Sequence, residues 1–239
     1  MIKNVLLGLY FWILMVLTLI LYVPYLVIRE ISKPLTERYL LFLTRWWSKH
    51  ILWVSGVRLK IRGTENIPSS NRVAFVTNHQ SYFDIPILIV TIPKLLGFIA
   101  KAELGKVPII NLWMKAMGCI FIERKKVSES LKRSRARIEQ ALQGDPVVLF
   151  PEGTRSRGPQ LGRFKTGSLQ ILLSTDLMIV PVSISGSYHL LEEKNKLKSG
   201  TVYVTFHPPI QGNTVTDKNA KDVAHQLRKT IQDGLLHEV

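Results

Sequence analysis

The chain has 239 residues, of which 46% are hydrophobic and 21% are charged. This composition suits one globular domain with a short appendage and excludes a disordered, fibrous or many-pass membrane protein. Lysine and arginine total 32 against 17 acidic residues, a formal net charge of +15, so we expect an anionic partner: nucleic acid, phospholipid headgroups or a phosphorylated substrate. The single cysteine, Cys119, excludes an internal disulfide framework and is predicted to be a small core residue of a strand.

The first thirty residues contain a long uncharged segment. Residues 5–28 include no charged side chain, and as a helix they would extend about 36 Å, enough to cross a hydrocarbon layer of about 30 Å. A cleaved signal peptide normally has an apolar stretch of only about 7 to 15 residues followed by small residues. The segment is therefore predicted to be an uncleaved membrane anchor.

Residues 35–54 form a second, amphipathic helical pattern, with basic and apolar side chains on opposite faces. Three tryptophans in this segment suit the headgroup boundary of a membrane: Trp46, Trp47 and Trp53. We expect the two segments to form a hairpin that embeds in one leaflet, with the bend at residues 24–34. Packing of the second helix on the globular domain is the alternative, because an amphipathic stripe also fits a protein core. Residues 1–54 would then be the anchor and residues 55–239 the globular domain.

Beyond residue 55 short apolar runs alternate with helical patterns, which predicts an α/β domain with most strands buried on both faces. The predicted strands span residues 57–61, 73–77, 97–100, 119–122, 147–150, 178–184 and 202–207. The predicted helices span residues 85–91, 109–117, 128–143, 167–174 and 217–236. We expect helices on both faces of the sheet.

The densest basic cluster surrounds the predicted helix over residues 128–143. It contains Arg124, Lys125, Lys126, Lys132, Arg133, Arg135 and Arg137. A solvated helix face and a patch that faces anionic headgroups or an acidic carrier protein are both compatible with it. Zinc-finger spacing and aromatic RNA-binding strand motifs are absent from the sequence, so no nucleic-acid partner is expected.

A histidine and an aspartate follow the predicted strand 73–77, in the sequence Asn-His-Gln-Ser-Tyr-Phe-Asp of residues 78–84. His79, at the carboxyl end of this strand, is expected to point into the crevice where α/β sheets bind ligands. Five residues separate it from Asp84, so the two side chains can meet only if the chain turns. Pro86 in the first helical turn makes Asp84 a natural N-cap, which leaves two interpretations open: a general-base pair, or a helix cap beside an exposed histidine.

A second polar segment, Phe-Pro-Glu-Gly-Thr-Arg-Ser at residues 150–156, follows the predicted strand 147–150. Gly153 would let the backbone approach a ligand, Thr154 supplies a hydroxyl, Arg155 can grip phosphate and Glu152 could receive or orient a hydroxyl. A salt-bridged turn is the alternative. A third segment places Lys101 after the predicted strand 97–100, and residues 180–187 form either a crevice wall or an ordinary core strand.

The order and spacing of N-H-x-S-x-x-D, A-K-x-E-L, F-P-E-G-T-R-S and V-P-V resemble the sequence blocks of the glycerolipid acyltransferase family. The resemblance covers about residues 57–210 and is strongest to the 1-acylglycerol-3-phosphate acyltransferases. It implies a single mixed-sheet acyltransferase domain. It also implies acyl transfer from acyl-CoA or acyl carrier protein to the 2-hydroxyl of lysophosphatidic acid, which forms phosphatidic acid in phospholipid biosynthesis.

The resemblance also implies roles for particular residues. His79 would be the general base, Asp84 would orient it, and Lys101 and Arg155 would bind the acceptor's phosphate. Further substrate-binding candidates are Glu152, Gly153, Thr154, Arg163 and Lys165. The histidines are scattered, so no metal site is expected, and no cofactor is expected beyond the thioester donor. The expected location is the cytoplasmic face of a membrane, the bacterial inner membrane.

Two other functions are compatible with parts of the sequence. One is an acyltransferase for another acceptor, such as glycerol 3-phosphate or a different lysolipid. The other is a non-catalytic, membrane-tethered basic protein that binds nucleic acid or acidic lipid, which the net charge of +15 would suit. The second function leaves the placement of His79, Lys101 and Arg155 at strand ends unexplained.

Overall fold

The computed structural model describes residues 2–122, 145–173, 175–211 and 220–236. The predicted helix over residues 128–143 and its basic cluster lie outside the described residues, as does the beginning of the predicted helix over residues 217–236. The remaining predicted elements can be compared with the structure directly.

Two long helices open the chain, α1 over Ile2–Ile31 and α2 over Lys33–Val54. Ser32 alone separates them, and its Oγ accepts a hydrogen bond from the backbone N–H of Leu35 at 3.4 Å. The predicted bend over residues 24–34 is therefore wrong in extent, because Pro24 lies inside α1. The Tyr39 hydroxyl of α2 donates to the Leu21 carbonyl at 2.7 Å, which joins the two helices just before Pro24.

The globular part is a mixed sheet. Its strands, in chain order, are β1 Val57–Arg62, β2 Val73–Thr77, β3 Gly97–Lys101, β4 Ile120–Ile122, β5 Val147–Leu149, β6 Met178–Ser185, β7 Gly200–Phe206 and β8 Ile210–Gln211. The described strands lie in the order β1-β7-β6-β2-β5-β3-β4, and β8 pairs with β6. The pairs β6–β7 and β6–β8 are antiparallel and the other pairs are parallel. The mixed α/β fold is thus confirmed.

The helices after α2 are α3 Asp84–Thr91, α4 Ile110–Ala116, α5 Thr166–Leu173 and α6 Ala220–Leu236. Successive side chains of β2 point to opposite faces of the sheet. Val73 and Phe75 belong to a core shared with α2 and α3, whereas Ala74 and Val76 belong to a second core shared with α5 and α6. The expected helices on both faces are therefore present.

The burial of a strand depends on its place in the sheet. All five residues of β2 are buried, as predicted for a central strand, but β1 is exposed or half-buried along its whole length. It lies at the edge of the described sheet, where β7 is the one described strand that pairs with it. The sequence of β1 alternates apolar and basic residues, as is typical of a strand with at most one covered face, whereas β2 is a continuous apolar run.

The two N-terminal helices pack against the sheet domain. Ile51 and Leu52 of α2 lie in the core shared with α3, and the Arg45 guanidinium donates to the Ile92 carbonyl at 3.3 Å. The indole N–H of Trp113 in α4 donates to Thr18 of α1 at 2.9 Å. Packing of the second helix on the domain, the alternative left open by its sequence pattern, is therefore observed.

Cys119 is half-buried and immediately precedes β4. Its Sγ accepts a hydrogen bond from the backbone N–H of Phe98 at 3.4 Å. Burial raises the pKa of the thiol to about 12, so the cysteine is protonated and unreactive at neutral pH. It packs against the core, although one position before the strand in which it was predicted.

Candidate active site

The loops after β2 and β5 meet at the carboxyl edge of the sheet. The two strands are parallel neighbours, with Val76 opposite Leu149, so the chain leaves both strands at the same height. The backbone N–H of His79 donates to Glu152 Oε1 at 2.7 Å, and the His79 carbonyl accepts the N–H of Ser156 at 2.7 Å. The first and second polar segments of the sequence therefore form one connected site.

His79 and Asp84 are hydrogen-bonded, with 2.8 Å between Nδ1 and Oδ2. The loop between them turns back, and the same oxygen accepts the backbone N–H groups of Gln80 and Ser81 at 2.7 and 2.9 Å. Asp84 is the first residue of α3, and the N-cap position belongs to Phe83. The prediction that Asp84 caps this helix is wrong, because its carboxylate faces the preceding loop.

The second oxygen of Asp84 has its own partner, since Ser187 donates its hydroxyl to Oδ1 at 2.6 Å. Ser187 begins a short 3-10 helix, Ser187–Leu190, directly after β6. Both residues are fully buried, and the four hydrogen bonds to the carboxylate offset the cost of removing it from water. The segment of residues 180–187 therefore also supplies a hydrogen bond to the buried carboxylate of Asp84, which the sequence did not predict.

The imidazole of His79 is fixed on two sides. Its ring stacks on Phe150, with 4.1 Å between ring centroids and 25° between ring planes. Because a carboxylate only accepts hydrogen bonds, Asp84 places the hydrogen of a neutral imidazole on Nδ1 and leaves the lone pair on Nε2. Within the described residues Nε2 has no hydrogen-bond partner, and the side chain is 17% exposed, so an entering ligand can reach it.

Glu152 lies beneath the histidine loop. Its Oε1 accepts the N–H of His79, and its Oε2 accepts the N–H of Gly162 at 2.8 Å. Burial raises the pKa of this carboxyl, whereas the two backbone N–H groups act in the opposite direction. Both carboxylate oxygens of Glu152 are bonded to the backbone, so the side chain holds the loops of His79 and Gly162 in place. The sequence had suggested instead that Glu152 contacts the substrate.

Arg155 forms a cluster with two residues from other segments. Its Nη1 lies 2.9 Å from Glu192 Oε1, and its guanidinium carbon is 3.3 Å from the centroid of the Tyr82 ring. The backbone N–H of Tyr82 donates to the same glutamate oxygen at 2.9 Å. Glu192 was not predicted, because it lies 37 residues after Arg155 in a segment without a recognisable motif.

The other candidate residues occupy the periphery of the site. Lys101 ends β3 and forms an exposed ion pair with Glu103, with 2.8 Å between Nζ and Oε1. Gly153 is buried with a φ of 72°, a conformation that glycine adopts without strain, and Thr154 is exposed. Arg163 and Lys165 line a cleft of about 790 Å³ that opens beside Phe150 and Gly153.

The arrangement can remove a proton from a bound hydroxyl. Serines near the histidine are engaged elsewhere: Ser81 Oγ accepts the N–H of Phe83, and the Ser156 hydroxyl donates to the Gly158 carbonyl. In the part of the chain that the structure describes, no three His, Cys, Asp or Glu side chains are placed to hold a metal ion. An imidazole with an accessible nitrogen and a carboxylate behind it is the geometry of a general base.

Comparison with known proteins places the chain among enzymes. A family model described as Acyltransferase matches residues 58–185. The 1-acyl-sn-glycerol-3-phosphate acyltransferase of Borreliella burgdorferi is 29% identical over 75% of this chain and 72% of its own length. A probable enzyme of the same name from Mycoplasma pneumoniae is 32% identical over 75% and 72%. A chloroplastic relative from Arabidopsis thaliana is 30% identical over 84% of this chain, which spans only 56% of that protein.

A solved structure is also similar along almost the whole chain. The crystal structure of the 1-acyl-sn-glycerophosphate acyltransferase PlsC from Thermotoga maritima has 27% sequence identity and a TM-score of 0.80. The match covers 98% of this chain and 95% of the other. Because the family model covers more than half of the chain and contains both loops that meet at His79, the protein belongs to the acyltransferase family.

Proposed function

We propose that this protein transfers an acyl chain from a thioester to the 2-hydroxyl of 1-acylglycerol 3-phosphate and so forms phosphatidic acid. The observation that carries the proposal is the His79–Asp84 hydrogen bond of 2.8 Å, which leaves Nε2 available at the edge of the sheet. The choice of acceptor is supported by the names of the relatives from Borreliella burgdorferi, Mycoplasma pneumoniae and Arabidopsis thaliana.

In the proposed reaction, Nε2 of His79 removes the proton from the acceptor hydroxyl as its oxygen attacks the thioester carbonyl. The tetrahedral intermediate then collapses, the carbon–sulfur bond breaks, and the thiolate takes the proton from the imidazolium. Asp84 stabilises the imidazolium and keeps the ring in one tautomer. Attack is direct, without an acyl-enzyme, because Ser81 and Ser156 use their side chains to brace the loops.

Arg155 is the proposed principal contact for the acceptor's phosphate. Glu192 holds one of its nitrogens and Tyr82 lies against its plane, so the guanidinium is fixed while further N–H groups are left for an anion. Lys101 would supply a second positive charge by releasing its exposed partner Glu103, a pair that contributes little on its own. Gly153 and Thr154 would complete this side of the binding site.

We further propose that the protein works at a membrane. α1 is long and apolar enough to cross one, and many of its large apolar side chains are exposed, as are Phe42, Trp46 and Trp53 of α2. Residues 1–54 would hold residues 55–239 at the bilayer, where the lipid acceptor is found. Thioester donors are cytoplasmic, so the proposed location is the cytoplasmic face.

The first test is acyl transfer in lipid vesicles, with labelled acyl-CoA or acyl carrier protein as donor and lysophosphatidic acid as acceptor. We expect wild type to make phosphatidic acid and His79→Ala to lose about 10² to 10⁴ of the rate. The matched control is His189→Ala, which removes an exposed histidine that is also paired with a carboxylate, and it should change the rate by less than about twofold.

Each alternative has its own result in this assay. Full activity in folded His79→Ala would contradict the proposed general base. Transfer to glycerol 3-phosphate or another lysolipid, with none to lysophosphatidic acid, would contradict the proposed acceptor. Salt-dependent nucleic-acid binding by a wild type that transfers no acyl group would favour the non-catalytic basic protein.

A further inference from the structure

The cleft beside Phe150 is larger and more basic than deprotonation of a hydroxyl requires. Its volume is about 790 Å³, within the range of about 300 to 1,000 Å³ that is typical of sites for small organic ligands. We call it the cationic cleft and define it by six of its lining residues: Phe150, Gly153, Arg163, Lys165, Lys221 and Arg228. It lies between the ends of the strands and helices α5 and α6.

The charges along the cationic cleft are all of one sign. Four of the six defining residues are cationic, and none of the described lining residues is acidic. In the described part of the chain no ion pair joins Arg163, Lys221 or Arg228 to a carboxylate. Arg228 is braced by the Gly162 and Leu161 carbonyls at 3.3 and 3.1 Å. Unneutralised cations grouped in a concave site are suited to a ligand with several negative charges.

The cationic cleft and the N-terminal helices α1 and α2 lie on opposite faces of the sheet. Leu149 and Ile122, which line the cleft, belong to the core shared with α5 and α6. α2 and α3 pack on the opposite face, and the exposed apolar side chains of α1 belong to that side of the molecule. A lipid acceptor held by the bilayer arrives at the α1–α2 side. The cationic cleft is therefore accessible to a molecule that arrives from water.

The cationic cleft adjoins the candidate active site at Phe150. Phe150 lines the cleft and also stacks on the His79 imidazole, with 4.1 Å between ring centroids. Gly153 lines the same end, and its loop is held to His79 through the hydrogen bond from Ser156 to the His79 carbonyl. A ligand whose charged groups rest on Arg163 and Lys221 would thus lie beside the ring and the loop that contact His79.

From these observations we propose that the cationic cleft binds the phosphate groups of the acyl donor, a water-soluble phosphorylated thiol carrier. The inference rests on the proposed function and deepens it. The carrier can be coenzyme A or the phosphopantetheine arm of a carrier protein, which share this chemistry. Arg163 and Lys165, which the sequence suggested as extra contacts for the acceptor's phosphate, are thereby assigned to the donor, and Arg155 and Lys101 are left to the acceptor.

The test compares two double variants with the same change in charge. Arg163→Gln with Lys221→Gln alters the cationic cleft, and Arg58→Gln with Lys229→Gln removes exposed cations from β1 and from α6 outside it. Each protein is assayed with lysophosphatidic acid and either acyl-CoA or acyl-pantetheine, which carries no phosphate. We expect the ratio of kcat/KM for acyl-CoA to that for acyl-pantetheine to fall at least about tenfold in the cleft variant, since two positive charges that would face the donor's phosphates are lost. The control should keep the ratio of wild type.

Acyl carrier protein as a third donor distinguishes the two sources of phosphate. If kcat/KM relative to acyl-pantetheine falls in the cleft variant with acyl-CoA alone, the cationic cleft is assigned to coenzyme A. If it also falls with acyl carrier protein, the cleft is assigned to the phosphopantetheine arm. An unchanged ratio with both donors overturns the inference. A higher KM for lysophosphatidic acid with an unchanged donor ratio also overturns it, because the cleft would then bind the acceptor.

Binding of free coenzyme A is measured by calorimetry in the same proteins and separates this inference from the proposed function. A Kd that rises at least about tenfold in the cleft variant, but not in the control, supports the donor site even if lysophosphatidic acid is not the acceptor. Transfer to lysophosphatidic acid with equal coenzyme A affinities and equal donor ratios supports the proposed function and overturns the donor site.

Discussion

Asp84 illustrates how one side chain organises the site. Its carboxylate is completely buried and accepts hydrogen bonds from the His79 ring, from two backbone N–H groups and from the Ser187 hydroxyl. Replacement by asparagine would exchange one carboxylate oxygen for an NH₂ group, which cannot accept the hydrogen bonds donated on that side of the side chain. We therefore expect Asp84→Asn to lower kcat by about 10² to 10⁴ and the free energy of unfolding by about 1–3 kcal/mol.

The control for Asp84→Asn is Ser187→Ala, which removes one hydrogen bond to the carboxylate and leaves the bond to His79 intact. This variant should be destabilised by about 1 kcal/mol and should lose less than about tenfold in kcat. Steady-state rates in vesicles and chemical denaturation measure both quantities. A wild-type kcat in Asp84→Asn would contradict the orienting role.

Glu192 is expected to act through Arg155. One of its oxygens accepts from both Arg155 and the backbone of Tyr82, so it fixes the guanidinium that would bind the acceptor's phosphate. We expect Glu192→Gln to raise the KM for lysophosphatidic acid by about tenfold, with a smaller effect on kcat and on the KM for the donor. Glu193→Gln, an exposed neighbour paired with His189, is the control. Equal KM values for lysophosphatidic acid in Glu192→Gln and Glu193→Gln would contradict the expectation that Glu192 positions Arg155.

The meeting of the loops that carry His79 and Arg155 could be predicted because each loop follows an apolar strand, and parallel strands bring their carboxyl ends together. The pairing of His79 with Asp84 was left open by the residues and was implied by the family resemblance. Ser187 and Glu192 could not be predicted, because their roles depend on contacts between segments more than 35 residues apart. The part played by Glu152 was mistaken because both of its oxygens accept hydrogen bonds from backbone N–H groups, which no sequence motif marks. Only the fold shows that the Gly162 N–H, ten residues later, occupies its second oxygen.

At the scale of elements, α6 is held against β6 by a close polar contact. Ser183 of β6 donates to the Ile231 carbonyl at 2.9 Å, and its Oγ lies 2.7 Å from Nε2 of His207. Burial lowers the pKa of His207, which favours the neutral ring at this junction. Gly234 of α6 lies directly over the pair, where a Cβ atom would collide with Ser183 Oγ and lie 2.7 Å from His207 Nε2.

Gly234→Ala therefore tests the packing of α6. Alanine normally stabilises a helix interior relative to glycine by about 0.8–1.0 kcal/mol, but here we expect a loss of about 1–3 kcal/mol from overpacking. Gly8→Ala in α1 is the matched control, because among the described residues no atom beyond its chain neighbours and its own helical backbone lies within 4 Å of the added Cβ. Thermal unfolding in detergent should show a lower Tm for Gly234→Ala only. A Tm at or above that of wild type would contradict the close contact.

Element positions could be predicted wherever an apolar run has clear boundaries. The predicted and observed bounds of β2 are the same, and those of β3 and β5 differ by one residue. β8 was missed because two residues give no pattern, and its pairing with β6 is decided by the fold. The bend between α1 and α2 was placed too broadly because proline was given more weight than the serine cap.

At the scale of the whole molecule, the exposed apolar surface of α1 predicts how the protein attaches to lipid. Ile20 is 70% exposed near the middle of this surface. An arginine at the centre of an inserted helix costs about 2.5–3.5 kcal/mol. We expect Ile20→Arg to reduce partitioning into neutral phospholipid vesicles on the order of a hundredfold in sedimentation assays.

Ile61→Arg, on the exposed edge strand β1, is the control for this attachment and should sediment with vesicles as wild type does. Neutral vesicles are needed because the added charge would otherwise attract anionic lipid. Equal partitioning of Ile20→Arg and wild type would mean that another surface holds the protein on the membrane.

The packing of α2 on α3 has a geometric consequence for catalysis at a membrane. Arg45 of α2 is bonded to the carbonyl of Ile92, just after α3 ends, and α3 begins with Asp84, which holds the imidazole of His79. Within the described residues, the path from α2 to the imidazole of His79 thus runs through packed helices. With α2 held at the bilayer as proposed, its depth in the lipid would set the height of His79 above the membrane, and the hydroxyl of the proposed acceptor would be met at a fixed level.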